Sequence, residues 1–169
     1  MSGGERFARL SAALEQCALH ASVLDEARRE ATGLFPMTAE RIGSIGKPER
    51  RILDQMAYRC GKLQDTLGEI VLPGFLTAVE EPIAPTATFA EKLQRLERLG
   101  AVPSAEEWRM LREVRNALAH EYPDEPELQA ELLNRFEQAV VALLAVWEAS
   151  TRFAAAHAPG AGLPPPPLR

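Results

Sequence analysis

Cysteine is nearly absent from this chain: Cys17 and Cys60 are the only two in 169 residues. They stand far apart, each on an apolar helical stripe, so the chain forms no disulfide framework and no paired CxxC motif. Both are expected to be small core residues in a reducing compartment. The chain also lacks a GxxxxGK loop and a GxGxxG after a strand, the two common signatures of a phosphate cradle. No stretch of useful length alternates apolar and polar residues with period two, which excludes a sheet as the main architecture. The longest apolar run, Ala139 to Trp147, is half a membrane span, and the opening MSGGERFARL has no apolar signal core. The expected location is therefore cytoplasmic, with no membrane association. A formal net charge of −5 argues against a protein that coats nucleic acid without selectivity, since that needs a broad basic surface. Any polyanion has to meet a local basic patch. Cys17 and His20, in CALH, are at most half a metal site, and no metal or cofactor is expected.

What the chain has in quantity is helical periodicity. The length fits one domain, and 46% hydrophobic residues are enough for a core. Phe7, Leu10, Leu14, Cys17, Ala21 and Leu24 step by three and four and predict a helix from Glu5 to about Thr32, stopped by Gly33. The segment TAERIGSIGK is expected as a loop. Pro48 then opens a long second helix with Ile52, Met56, Cys60, Leu63, Leu67 and Ile70 on its stripe, kinked or ended at Pro73 and Gly74. A short third helix carries Phe89, Leu93 and Leu96, with Gly100 just past its end. Ser104 and Glu107 form a capping box for a fourth helix, expected to run to about Glu121 and stop at Pro123. Asp124 and Glu127 form a second box, opening a fifth helix with Leu128, Leu132, Phe136, Val140, Leu143 and Trp147 inward. The expected fold is all-α: an up-and-down four-helix bundle with one additional short helix, over residues 1–156. Residues 157–169 are expected to be a disordered Pro-rich tail.

The polar chemistry gathers on the fourth helix. At about 100° per residue, Met110, Leu111, Val114 and Leu118 fall on one side as the expected buried face. Asn116 and His120 lie opposite, one turn apart, and Arg109 and Arg112 share that side. In an acidic chain with three histidines, this is a small basic stripe around the one histidine on that helix.

The residues Arg115, Asn116, His120 and Tyr122, in RNALAHEY near the end of that helix, resemble the HEPN domain superfamily, and most closely its HepT-like toxin branch with the motif RxxxxHxY. The match is specific over those eight residues, and the all-helical reading of the rest is compatible with it. The resemblance implies a metal-independent endoribonuclease toxin, homodimeric, paired with a minimal nucleotidyltransferase antitoxin. It also implies that Tyr122 is the acceptor of AMP transferred by that antitoxin. Other members bind nucleotides or partner a nucleotidyltransferase without cleaving RNA, so a non-catalytic binding subunit is the alternative.

The residue chemistry suits such a reaction. Cleavage by a 2′-hydroxyl needs a base, an acid and a cation for the charge that builds on phosphorus. His120 can take either proton role. Arg115 has the planar fork that grips two phosphate oxygens, and Asn116 can orient the imidazole or donate to a phosphate oxygen. Arg109 and Arg112 are candidate RNA contacts. Arg115 and His120 are five residues apart, about 140° around a helix, so their side chains diverge. A two-fold dimer that faces two such helices would solve this, which favours a composite site.

Overall fold

The computed structural model describes residues 3–120 and 124–158, and among these the protein is helical with no strand. Helix α1 spans Gly3–Ala31 and buries Leu10, Leu14, Cys17, Ala21 and Leu24 along one face. Phe7, expected on that face, is instead exposed, within a stretch, residues 4–9, that is exposed throughout. A 3₁₀ turn over Thr32–Leu34 contains Gly33 and ends the helix where expected. The following segment is not simply a loop. It carries a short helix, α2, Ala39–Ser44, whose N-cap Thr38 accepts the Arg41 N–H through its hydroxyl at 3.2 Å. Six residues are too few to show an amphipathic period, which hid α2 from the pattern. Asn134 clamps the approach to α2 by accepting from Met37 N–H at 2.7 Å and donating to Met37 C=O at 3.0 Å.

Helix α3, Lys47–Thr66, has Pro48 in its first turn. It does not break at Pro73. A π-helical turn, Leu67–Val71, carries the chain into α4, Leu72–Ala78, with Leu72 N–H bonded to the carbonyl of Leu67. Proline has no N–H, and its ring clashes with the carbonyl four residues back in a regular helix. The wider turn just before Pro73 moves that carbonyl aside. Helix α5, Phe89–Arg98, opens on a capping box of Thr88 and Glu91. It closes with Gly100 at φ 79 and the Ala101 N–H bonded back to Leu96 C=O at 2.9 Å, an arrangement that needs a left-handed residue.

Helix α6, Ala105–His120, starts as expected with Ser104 Oγ accepting the Glu107 N–H at 3.1 Å. Its buried face is Trp108, Leu111 and Val114, with Leu118 half-buried, and Met110 is exposed. The bulk of Trp108 decides the rotation. Its indole lies against Gly68, where an added Cβ would stand 3.0 Å from Cζ2, and its ring centroid is 6.4 Å from that of Phe89.

Helix α7, Pro126–His157, begins on Glu125 with no side-chain cap, so Asp124 does not cap it, and Leu128 in the first turn is exposed rather than inward. Further along, Leu132, Phe136, Val140, Leu143 and Trp147 are buried as expected. By length and composition α7 could cross a membrane, but half of its most apolar window is buried inside the protein, as in a core helix. It runs to His157, and Ala158 is buried, so the first two residues of the tail expected over 157–169 belong to the helix end and its packing; the rest of that tail lies outside the described residues. In the packing, α1 lies along α3, α6 along α7, and both α1 and α3 also touch α7, so a helical bundle encloses one core.

Candidate functional site

The polar side of α6 is not a uniform basic stripe. Arg109 is paired with Glu106 one turn back and lies 3.7 Å from Glu113 one turn on. The hydrogen bond from Arg109 holds the Glu106 carboxyl below its ordinary range, and the same contact raises the guanidinium. Arg112 and Asn116 are exposed. Of the two arginines expected to contact RNA, Arg109 is thus already engaged by carboxylates on its own helix. His120 closes α6, and its side chain, like Tyr122, falls outside the described residues.

Arg115 points elsewhere. Its Nη2 donates to Asp65 Oδ2 of α3 at 2.9 Å, and each side chain keeps about two fifths of its surface in water. A pair so exposed stabilises by about 0–1 kcal/mol, so it orients the guanidinium rather than anchoring the fold. The sequence argument placed Arg115 away from His120 on the wheel, and the structure turns it toward α3.

Beside Arg115 lies a cavity of about 330 Å³ between α3, α6 and α7. Its walls include Leu111, Val114, Phe136 and Leu143, and its mouth carries Tyr58, Lys62, Asp65 and Arg115. Gln64, 4% exposed, also lines it, but its Oε1 and Nε2 are turned into the packing away from water and both lack a hydrogen-bond partner among the described residues. An amide desolvated without partners costs about 1–3 kcal/mol. Gln64→Met, which keeps the length and removes the amide, is therefore expected to raise the melting temperature by about 2–8 °C, measured by thermal unfolding at neutral pH.

Cys60 also lines the cavity, but burial pushes its thiol from 9.0 up to about 12 despite the opposing charge of Arg115. Cys17 is raised to about 12 by burial as well. Both stay thiols at neutral pH, and a protonated thiol is neither nucleophile nor metal ligand. Among the described residues no three of His, Cys, Asp and Glu come together to hold a metal ion.

At the mouth, Tyr58 is 57% exposed, with the Arg59 guanidinium 5.6 Å and the Lys62 ammonium 5.8 Å from its ring centre. Arg59 Nη1 also donates to His20 Nδ1 at 3.0 Å. Arginine cannot accept, so His20 is neutral here with its proton on Nε2. Burial first, then Arg59 and Lys62, hold its pKa below 6.5. The unfolded chain thus binds this proton more readily. Stability conferred by neutral His20 is complete above pH 6.5 and declines as pH falls from there toward the depressed folded value. His20→Gln is expected to flatten that part of a stability-against-pH curve.

The motif on α6 was legible from sequence, whereas Asp65, Gln64, Tyr58 and Lys62 on α3 were not singled out. Tyr58, Lys62 and Asp65 fall at i, i+4 and i+7, a shared polar face that a wheel of α3 would have displayed. Gln64, between Leu63 and Leu67, gave no signal.

Comparison of the chain with protein-family models, with curated proteins and with solved structures finds no match. The functional reading therefore rests on the motif and the geometry around it.

Proposed function

We propose that the protein is a HEPN-type, metal-independent endoribonuclease toxin of a type II or type VII-like toxin–antitoxin module. It acts in the cytoplasm as a homodimer and is silenced by a minimal nucleotidyltransferase antitoxin through AMP transfer to Tyr122. In this reading α1, the α3–α4 rod, α6 and α7 form an up-and-down four-helix bundle to which α2 and α5 are additions. The observation that carries the proposal is the sequence motif Arg115, Asn116, His120 and Tyr122, the first three of which lie in the last turns of α6.

In the reaction the RNA 2′-oxygen attacks phosphorus and its proton passes to a base, while the 5′-oxygen leaves and takes a proton from an acid. The products are a 2′,3′-cyclic phosphate and a 5′-hydroxyl. One His120 from each protomer supplies the base and the acid. Arg115 holds the phosphate, exchanging its half-exposed contact with Asp65 for two bonds to phosphate oxygens. Asn116 on the same helix orients the imidazole or donates to the phosphate.

The test is incubation of the purified protein with tRNA in EDTA, with the oligomeric state followed by light scattering. Cleavage that persists in the chelator and coincides with a dimer is the expected outcome. A monomer at micromolar concentration that still cuts RNA would refute the composite site. A tight complex with a nucleotidyltransferase and no cleavage would favour the non-catalytic subunit.

A further inference from the structure

We infer that the cavity between α3, α6 and α7 binds a medium-chain fatty carboxylate. The hydrocarbon chain lies against the apolar walls, and the carboxylate meets Lys62 and Arg115 at the mouth. The site does not rest on the function proposed above, since neither RNA nor His120 enters the argument.

The walls decide the body of the ligand. Leu111, Val114 and Leu118 of α6 face Phe136 and Ala139 of α7 across the cavity, and Leu118 keeps part of its surface in water. The Gln64 amide is turned into the packing, and Cys60 adds only a thiol, a weak donor. A sugar or a nucleobase would leave N–H or O–H groups unpaired against such walls, whereas methylenes leave none and gain by quitting water. The volume, about 330 Å³, set against the share of about 30 Å³ that one water takes in the liquid, admits a chain of about eight to ten carbons. On the α3 side the wall opens at Gly61, where an added Cβ would find Arg115 Nε, at 3.9 Å, as its one neighbour within 4 Å beyond its own stretch of helix.

The mouth decides the head. Arg115 already holds one carboxylate, that of Asp65, at 2.9 Å, so the guanidinium is placed for this group. The Lys62 ammonium, 5.8 Å from the Tyr58 ring centre, pairs with no carboxylate among the described residues. The Arg59 guanidinium is 5.6 Å from the same ring centre. Arg59, Lys62 and Arg115 thus outnumber Asp65 around the mouth, a local positive excess on a chain of net charge −5, and that excess selects an anion. Apolar walls with a few charged groups at the rim are the usual make-up of a small-molecule site.

The site is tested by isothermal titration calorimetry of the full chain with hexanoate, octanoate, decanoate and tetradecanoate, and with 1-octanol. Octanoate is expected to bind one to one with a Kd of about 0.1–1 mM. Affinity should rise about two- to fourfold for each methylene up to decanoate and level off by tetradecanoate, once the cavity is full. 1-Octanol, which keeps the chain and loses the charge, should bind about fivefold more weakly than octanoate. Lys62→Met should bring the two within about twofold of each other. Gly61→Leu, which sends a side chain into the cavity, should weaken octanoate at least about tenfold, while the methyl of Gly61→Ala has room and should change it by less than about twofold. Thermal melts verify that each variant is folded, and the chain-length series and Lys62→Met need no substitution in the core. No saturable octanoate binding, equal affinity for octanoate and 1-octanol in wild type, or undiminished binding in a folded Gly61→Leu variant would overturn the site. Affinity that keeps climbing to tetradecanoate would also overturn it, since the chain would then lie on the open surface.

Discussion

His120→Ala is expected to lower RNA cleavage by about 10²–10⁴-fold while leaving the thermal transition in place. The size follows from the chemistry. The uncatalysed step is slow because the 2′-hydroxyl is a poor nucleophile until its proton is drawn off and the 5′-oxygen a poor leaving group until it gains one. An imidazole titrating near neutrality can do either. In a two-fold composite site the substitution removes the base and the acid together, so the loss should fall at the upper end of that range. A mixed dimer of wild-type and His120→Ala chains should be nearly as impaired as the double variant in any site where both histidines act. The unchanged melt is expected because His120 is the last residue of α6, beyond the buried Trp108, Leu111 and Val114 that hold the helix to the core. Wild-type cleavage or toxicity in the variant would end the enzymatic reading.

Trp108→Ala is expected to be the most destabilising single substitution considered, at about 3–5 kcal/mol, read from urea unfolding. Trp108 is 1% exposed and fills the hollow over Gly68, against Phe89, so it ties α6 to α5 and to the π-helical turn at once. Its indole Nε1 has no hydrogen-bond partner among the described residues. Trp108→Phe therefore forfeits only part of the packing and no hydrogen bond to those residues, and is expected to cost well under half as much. Because α6 carries Arg115, the alanine variant should also lose activity in step with the unfolded fraction, whereas the phenylalanine variant should keep it. Similar losses for the two would mean that the indole nitrogen, not the volume of the ring, is what matters.

The same residue shows how far the sequence could be read. A wheel of α6 identifies an apolar side but cannot choose between a face centred on Met110 and one that includes Trp108, since both are long apolar residues within one turn. The choice is made by Gly68, forty residues earlier, which leaves a hollow that an indole fills and a thioether does not need. Met110 is then turned to solvent at 48% exposure. Pro73 has the same character. Its effect on a regular helix is known from its chemistry, but whether the chain breaks or widens depends on what the continuing helix has to pack against. Here α4 buries Leu72, Phe75 and Leu76, so a π-helical turn is formed instead of an end.

By itself the sequence determined the helical class, most helix starts and stops, and the residues of the motif on α6. Gly33, Pro48, Gly100 and Ser104 all act where their types predict, because capping and termination are settled by atoms within a turn of each residue. Tertiary structure alone decided where Arg115 points and what lies beside it. Asp65 is fifty positions away from it in the chain, and the cavity with its unpartnered Gln64 exists only where α3, α6 and α7 meet. A local pattern specifies which side of a helix is apolar, but the partner of a polar side chain on the boundary depends on the helix packed across from it.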